Sequence, residues 1–141
     1  MVSGGFSLPI YRGSGGAFDL IAMGCDFSHC GLRMSYGGFR SLVDRLAEEA
    51  GIALREMEGY GGSVPWKDVN DPLVPLLNAF DEYGGGEVAG SACPELSRRL
   101  WEIAECWSDS RHKNHGWHEQ CAQLAHAVGE AGFLGEAFYW F

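Results

Sequence analysis

The residues able to do chemistry gather in two stretches of the chain. Cys25, His29 and Cys30 lie close together, and His112, His115, His118 and Cys121 follow at three-residue intervals. Zinc takes nitrogen and sulfur ligands in a tetrahedron, and two ligands one helical turn apart can chelate it. His118 and Cys121 have that spacing, and Cys25, His29, Cys30 and His115 could complete a site. Against this, the chain holds no Cys-x-x-Cys pair, His115 precedes the regular helical pattern, and Cys121 falls on an apolar stripe. A core thiol beside solvated histidines explains the same pattern. The second chemistry is nucleophilic: Cys25 or Cys30 activated by His29, with Asp26 orienting the imidazole. The alternative is a small apolar side chain closing a loop. Third, Asp81, Glu82 and Glu87 crowd a glycine-rich loop. Their order lacks the alternating oxygen ligands of a calcium loop, so a solvated turn accounts for them. Gly13-Ser14-Gly15-Gly16 lacks the Lys-Ser/Thr ending of a phosphate-binding loop. No cofactor is therefore expected, with zinc as the alternative.

Aromatic residues outside the core pattern form the remaining candidate. Trp66 follows a proline in a loop, Tyr60 and Tyr83 stand among glycines, and Trp101 falls off its helix's apolar stripe. Trp and Tyr are common interface anchors. Tyr60, Trp66, Tyr83 and Trp101, with the acidic Asp81, Glu82 and Glu87, form a candidate partner-binding set. The chain has 19 acidic and 10 basic residues, for a formal charge of −9. That balance disfavours phosphate backbones and anionic membranes and favours a basic protein partner.

The elements that must position these groups are legible from periodicity. Residues 1–17 read as a flexible Gly/Ser-rich arm, and 18–141 as a single domain. Phe18 to Met23 suggests a first strand, followed by an irregular loop over 24–38. Phe39, Leu42, Val43, Leu46 and Ala50 share one helical face, with Ser35 as the candidate cap and Gly51 as the stop. Ile52 to Met57 suggests a second strand. Asp71-Pro72 marks a helix start, and Leu73, Val74, Leu76, Leu77 and Phe80 pack inward behind it. A third helix begins near Ser91–Pro94, with Leu96, Leu100, Ile103, Ala104 and Trp107 buried. A fourth carries Trp117, Cys121, Leu124, Ala125 and Val128, with Gly132 as its stop. Glu136 to Phe141 reads as a terminal strand. The order predicts an α+β fold: a small mixed or antiparallel sheet of about three to four strands, with about four helices packed mainly on one face.

The run Asp71-Pro72-Leu73-Val74-Pro75-Leu76-Leu77-Asn78, the acidic glycine loop, and Cys93-Pro94-Glu95-Leu96-Ser97-Arg98-Arg99-Leu100 occur together, with Tyr36-Gly37-Gly38-Phe39 upstream. Together they resemble a group of small uncharacterised bacterial and phage proteins in which "PLLNHSDCDGEL" precedes a Cys-containing helix. The resemblance covers roughly two thirds of the chain. Where that group has His-Ser-Asp-Cys-Asp-Gly-Glu, this chain has Ala79 through Glu87, retaining Asp81, a glycine and Glu87. The resemblance implies the fold and carries no activity.

No basic start precedes an apolar run, and five cysteines at irregular spacing suggest reduced thiols, so the expected location is cytoplasmic. The expected function is a small acidic protein-interaction module, an immunity-type or anti-defence inhibitor of bacterial or phage origin. The alternatives are a metal-dependent or cysteine-based enzyme and a self-assembling structural component that forms homo-oligomers.

Overall fold

The computed structural model describes residues 24–81 and 84–141. The proposed arm, the Phe18–Met23 strand, Glu82 and Tyr83 lie outside the described residues.

Ser35 starts the first helix as its type predicts. Its Oγ accepts from the Gly38 N–H at 2.9 Å, and α1 (Tyr36–Glu49) runs from there. Phe39, Leu42, Val43, Leu46 and Ala47 are buried along one face. Gly51 then turns the chain with a φ of 73°, a left-handed conformation that glycine adopts without strain. Asp71 Oδ1 accepts from the Leu73 N–H at 2.9 Å just before α2 (Val74–Ala79). In α3 (Cys93–Trp107), the stripe of Leu96, Leu100, Ile103, Ala104 and Trp107 is buried as its spacing requires. No helix of the described residues is long and apolar enough to cross a membrane.

The last helix, α4 (His118–Leu134), passes through Gly132 and ends at Gly135, whose φ is 70°. Gly132 is a packing position: a Cβ there would come within 3.1 Å of Pro94 and 3.2 Å of the Cys93 side chain. One helical turn earlier, a Cβ on Gly129 would come within 2.8 Å of Ser97 Oγ. These small residues let α3 approach α4 closely enough for Ser97 Oγ to donate to the Ala125 carbonyl at 2.9 Å.

The loop over 24–38 contains a hairpin. Strands β1 (Gly24–Asp26) and β2 (Arg33–Ser35) pair antiparallel, with Asp26 opposite Arg33. Their turn has Cys30 and Gly31 at φ 60° and 63°, and Leu32 donates its N–H to the His29 carbonyl at 3.3 Å. The pairing register leaves residues 28–31 as the connection, and its last two residues are both left-handed. Cys30 is not one of the Gly, Asn or Asp residues that usually mark a left-handed position, so the sequence pattern conceals the turn. A second antiparallel pair joins β3 (Gly86–Val88) to β4 (Phe138–Trp140). A bridge between Phe27 and Trp140 links the two pairs edge to edge. Asp26 and Phe141 exchange backbone hydrogen bonds at 2.9 Å across the same seam.

The architecture is therefore α+β, with two two-stranded antiparallel sheets and four α-helices among the described residues. The inner face of the strands packs on α1 and α2 through aromatic rings. Phe39 meets Phe27, Phe80 and Trp140 edge-on, at centroid distances of 5.0, 5.2 and 5.3 Å. Ile52 to Met57 is not a strand. Leu54–Glu56 forms a 3₁₀ turn, and glycines at positive φ (Gly59 and Gly61) fold the chain back so that Val64 bonds Glu56. Ile52 and Met57 are buried at either end of that turn, so its apolar residues serve as plugs and not as one face of a strand.

Candidate functional site

No three of the six sequence-derived metal candidates bring ligand atoms together. Cys121 is fully buried and donates to the Leu100 carbonyl at 3.3 Å. Burial pushes its thiol up to about 12. His115 Nδ1 lies 3.3 Å from the Trp107 carbonyl, and His118 Nδ1 contacts the His115 carbonyl, with the two rings stacked at 4.7 Å. His112 Nδ1 accepts from the Asn114 N–H at 2.9 Å. Helix ends leave carbonyls without intrahelical partners, and His115 meets that of Trp107 at the end of α3, while His112 and His118 bond backbone groups of the connection itself. Trp107 closes the same connection by donating Nε1–H to Glu49 Oε1 at 2.8 Å. Arg45 donates to Asn114 Oδ1 at 3.2 Å and stacks over Trp117 at 4.7 Å.

The cysteine-nucleophile arrangement is also not formed. Asp26 pairs with Arg33 at 2.6 Å across the hairpin, and does not orient His29. His29 is held instead between Ser28 Oγ at 2.6 Å and Glu136 Oε1 at 2.8 Å. The Tyr139 N–H donates to Ser28 Oγ at 3.1 Å. This chain of bonds fastens the β1–β2 turn to the segment that follows α4. Both candidate thiols are harder to ionise than usual. Cys25 is pushed up to about 11, by burial and then by neighbouring Asp26. Cys30 is pushed up to about 11, by desolvation and then by its bond to Glu130. A reactive cysteine needs the opposite shift.

Among the described residues, two other sets of ligand-type atoms converge. Cys30, His126 and Glu130 form one and Glu49, Cys106 and His112 the other, with the atoms of each set within 4.8 Å of one another. His126 and Glu130 were legible only as an i, i+4 pair on one helix face. Their nearness to Cys30 depends on the hairpin.

The aromatic candidates separate in the same way. Trp66 is only 4 % exposed, and its Nε1–H donates to the Glu58 carbonyl at 3.0 Å. It is a core residue, not an anchor. Tyr60 meets it edge-on at 6.0 Å and donates its hydroxyl to the Leu77 carbonyl at 2.7 Å, so it lies as a lid over that core. Tyr60 and Asp81 border one cleft of about 730 Å³, together with Arg40, Asn78 and Phe80. Trp101 is 47 % exposed on the outer face of α3, where Arg98 pairs with Glu95 and Glu102. Glu87 is exposed on β3 directly opposite Tyr139.

The aromatic side chains of the terminal strand divide between the two faces. Phe138 and Trp140 point inward, while Tyr139 and Phe141 stack at 5.9 Å on the outer face, 45 % and 62 % exposed. Phe133 and Leu134 are also exposed at the end of α4. Strand alternation was the available signal: consecutive aromatics in a strand cannot all face one side. No protein-family model, curated protein or solved structure matches this chain.

Proposed function

We propose that this protein is a small acidic protein-interaction module that docks a basic partner through the outer face of β4. The observation that carries this reading is the exposed Tyr139–Phe141 stack, with Glu87 opposite Tyr139. Rings already stacked on one another lose little side-chain freedom on binding, and the Glu87 carboxylate steers a cationic surface toward them. The net charge of −9 works in the same direction over longer range. A small acidic chain that covers the basic surface of another protein keeps phosphate-bearing ligands off it. That is the chemistry of an immunity-type or anti-defence inhibitor acting in the cytoplasm. Trp101 offers a second contact on α3.

Capture of partners on immobilised protein, read by mass spectrometry, tests this reading. The double change Tyr139→Ala with Phe141→Ala should abolish recovery of a basic partner while circular dichroism stays unchanged. Raising salt should weaken capture by the unaltered protein. An identical captured set with the double variant and with Glu87→Lys refutes the assignment of this face. Light scattering separates the alternative of a self-assembling component, which predicts growth in mass with concentration.

A further inference from the structure

We infer that Cys30, His126 and Glu130 form a binding site for a divalent cation of the zinc class, with one coordination position left open to water. This goes beyond the docking reading and does not depend on it. The three ligand atoms lie within 4.8 Å of one another, and Cys30 Sγ is 3.0 Å from Glu130 Oε1. A tetrahedral zinc ion with ordinary bond lengths needs ligand separations of about 3.4–3.6 Å. All three side chains are exposed, so each is able to rotate toward a shared ion. His126 and Glu130 stand one turn apart on α4, so a helix fixes their spacing. Cys30 comes from the hairpin turn, which is itself fastened through His29 to Glu136. Two rigid elements thus bring the ligands together before any ion arrives.

The residue types select the ion. One thiolate, one imidazole and one carboxylate suit zinc or cobalt, whereas calcium and magnesium take all-oxygen sets. Binding would displace the Cys30 proton to solvent, and the resulting thiolate and the Glu130 carboxylate would then balance a charge of +2. All three side chains are exposed, which leaves an entry path. Cys30 also occupies a left-handed turn position that Gly, Asn or Asp fills with less strain. The fold keeps a thiol where a thiol is conformationally unfavoured. The second cluster is a poorer host, because Glu49 already accepts from Trp107 and His112 accepts from Asn114.

Titration of the full chain with cobalt(II), followed by absorption, and with zinc, followed by calorimetry, tests the site. One equivalent of cobalt should bind with a thiolate charge-transfer band. Cys30→Ser should remove the band, and His126→Ala should weaken both metals by more than about tenfold. Cys106→Ser should leave the band and the affinity unchanged. These positions are exposed, and circular dichroism of each variant shows whether it folds. The inference is overturned by three results: no stoichiometric metal on the unaltered protein, a band retained in Cys30→Ser, or a band lost in Cys106→Ser. Partner capture is read separately, so failure here leaves the docking face standing, and the reverse.

Discussion

At the connection between α3 and α4, imidazoles, a carboxylate and an indole answer one another and the backbone. At the β1–β2 turn and the middle of α4, a thiol, an imidazole and a carboxylate stand together in solvent. Both regions hold His, Cys and acidic residues at close quarters, and the first has the more suggestive sequence spacing. The difference lies in what surrounds them. A helix end leaves carbonyl and amide groups in need of partners; His115 meets the last carbonyl of α3, and His112 and His118 bond backbone groups of the connection that follows. The exposed face of α4 at His126 and Glu130 makes no such demand, because backbone groups within a helix bond each other. Availability for chemistry therefore depends on the local hydrogen-bond requirement more than on residue type.

The comparison can be broken most sharply at Trp107. It is fully buried and bonded to Glu49, so Trp107→Ala should cost about 3–5 kcal/mol in chemical denaturation. A cost below about 1 kcal/mol would mean that this connection is not structural. Glu49→Leu should cost about 1–3 kcal/mol, since the Trp107 N–H loses its acceptor. Glu49→Gln keeps an acceptor and should recover most of that loss. If Gln is as damaging as Leu, the bond is not what matters.

Alkaline pH distinguishes the two regions by burial. The Cys121 thiol is pushed up to about 12 and that of Cys30 to about 11, against an ordinary 9.0. A folded-state pKa above the unfolded one means the folded chain holds its proton longer. The contribution is full below pH 9 and is lost as pH rises through 11 to 12. Urea midpoints should fall above pH 9, and Cys121→Ala should flatten that fall more than Cys30→Ser. Equal slopes for the two variants would remove the distinction. The smallest expected effect is Cys30→Gly. Relief of about 1–2 kcal/mol of left-handed strain is offset by about 0.5–1 kcal/mol of added chain entropy. A net change under about 1.5 kcal/mol, with metal binding lost, would separate the roles of turn and ligand.

Much of the helical frame was legible because it depends on short-range rules. Ser35, Gly51 and the α3 stripe follow from capping chemistry and the 3.6-residue period. The hairpin was hidden because Cys30-Gly31 performs a turn that other residues usually signal. Trp66 was misplaced because its burial depends on Tyr60, Glu58 and the folded-back glycine segment, none of which periodicity reports. Gly132 looked like a helix stop because glycine serves both as a cap and as a close-approach residue, and only Pro94 on the facing helix decides between them.

By itself the sequence determined the excess of acidic residues, which is composition, and the Ser35 cap and the apolar stripes, which are set by neighbours within about one helical turn. Tertiary structure alone decided which strands paired, which aromatics faced water, and which thiol met which imidazole. Cys30 and Glu130 lie a hundred positions apart and touch only because the hairpin is fastened beside α4. Residues so distant in the chain are brought together by packing, and no local pattern records that.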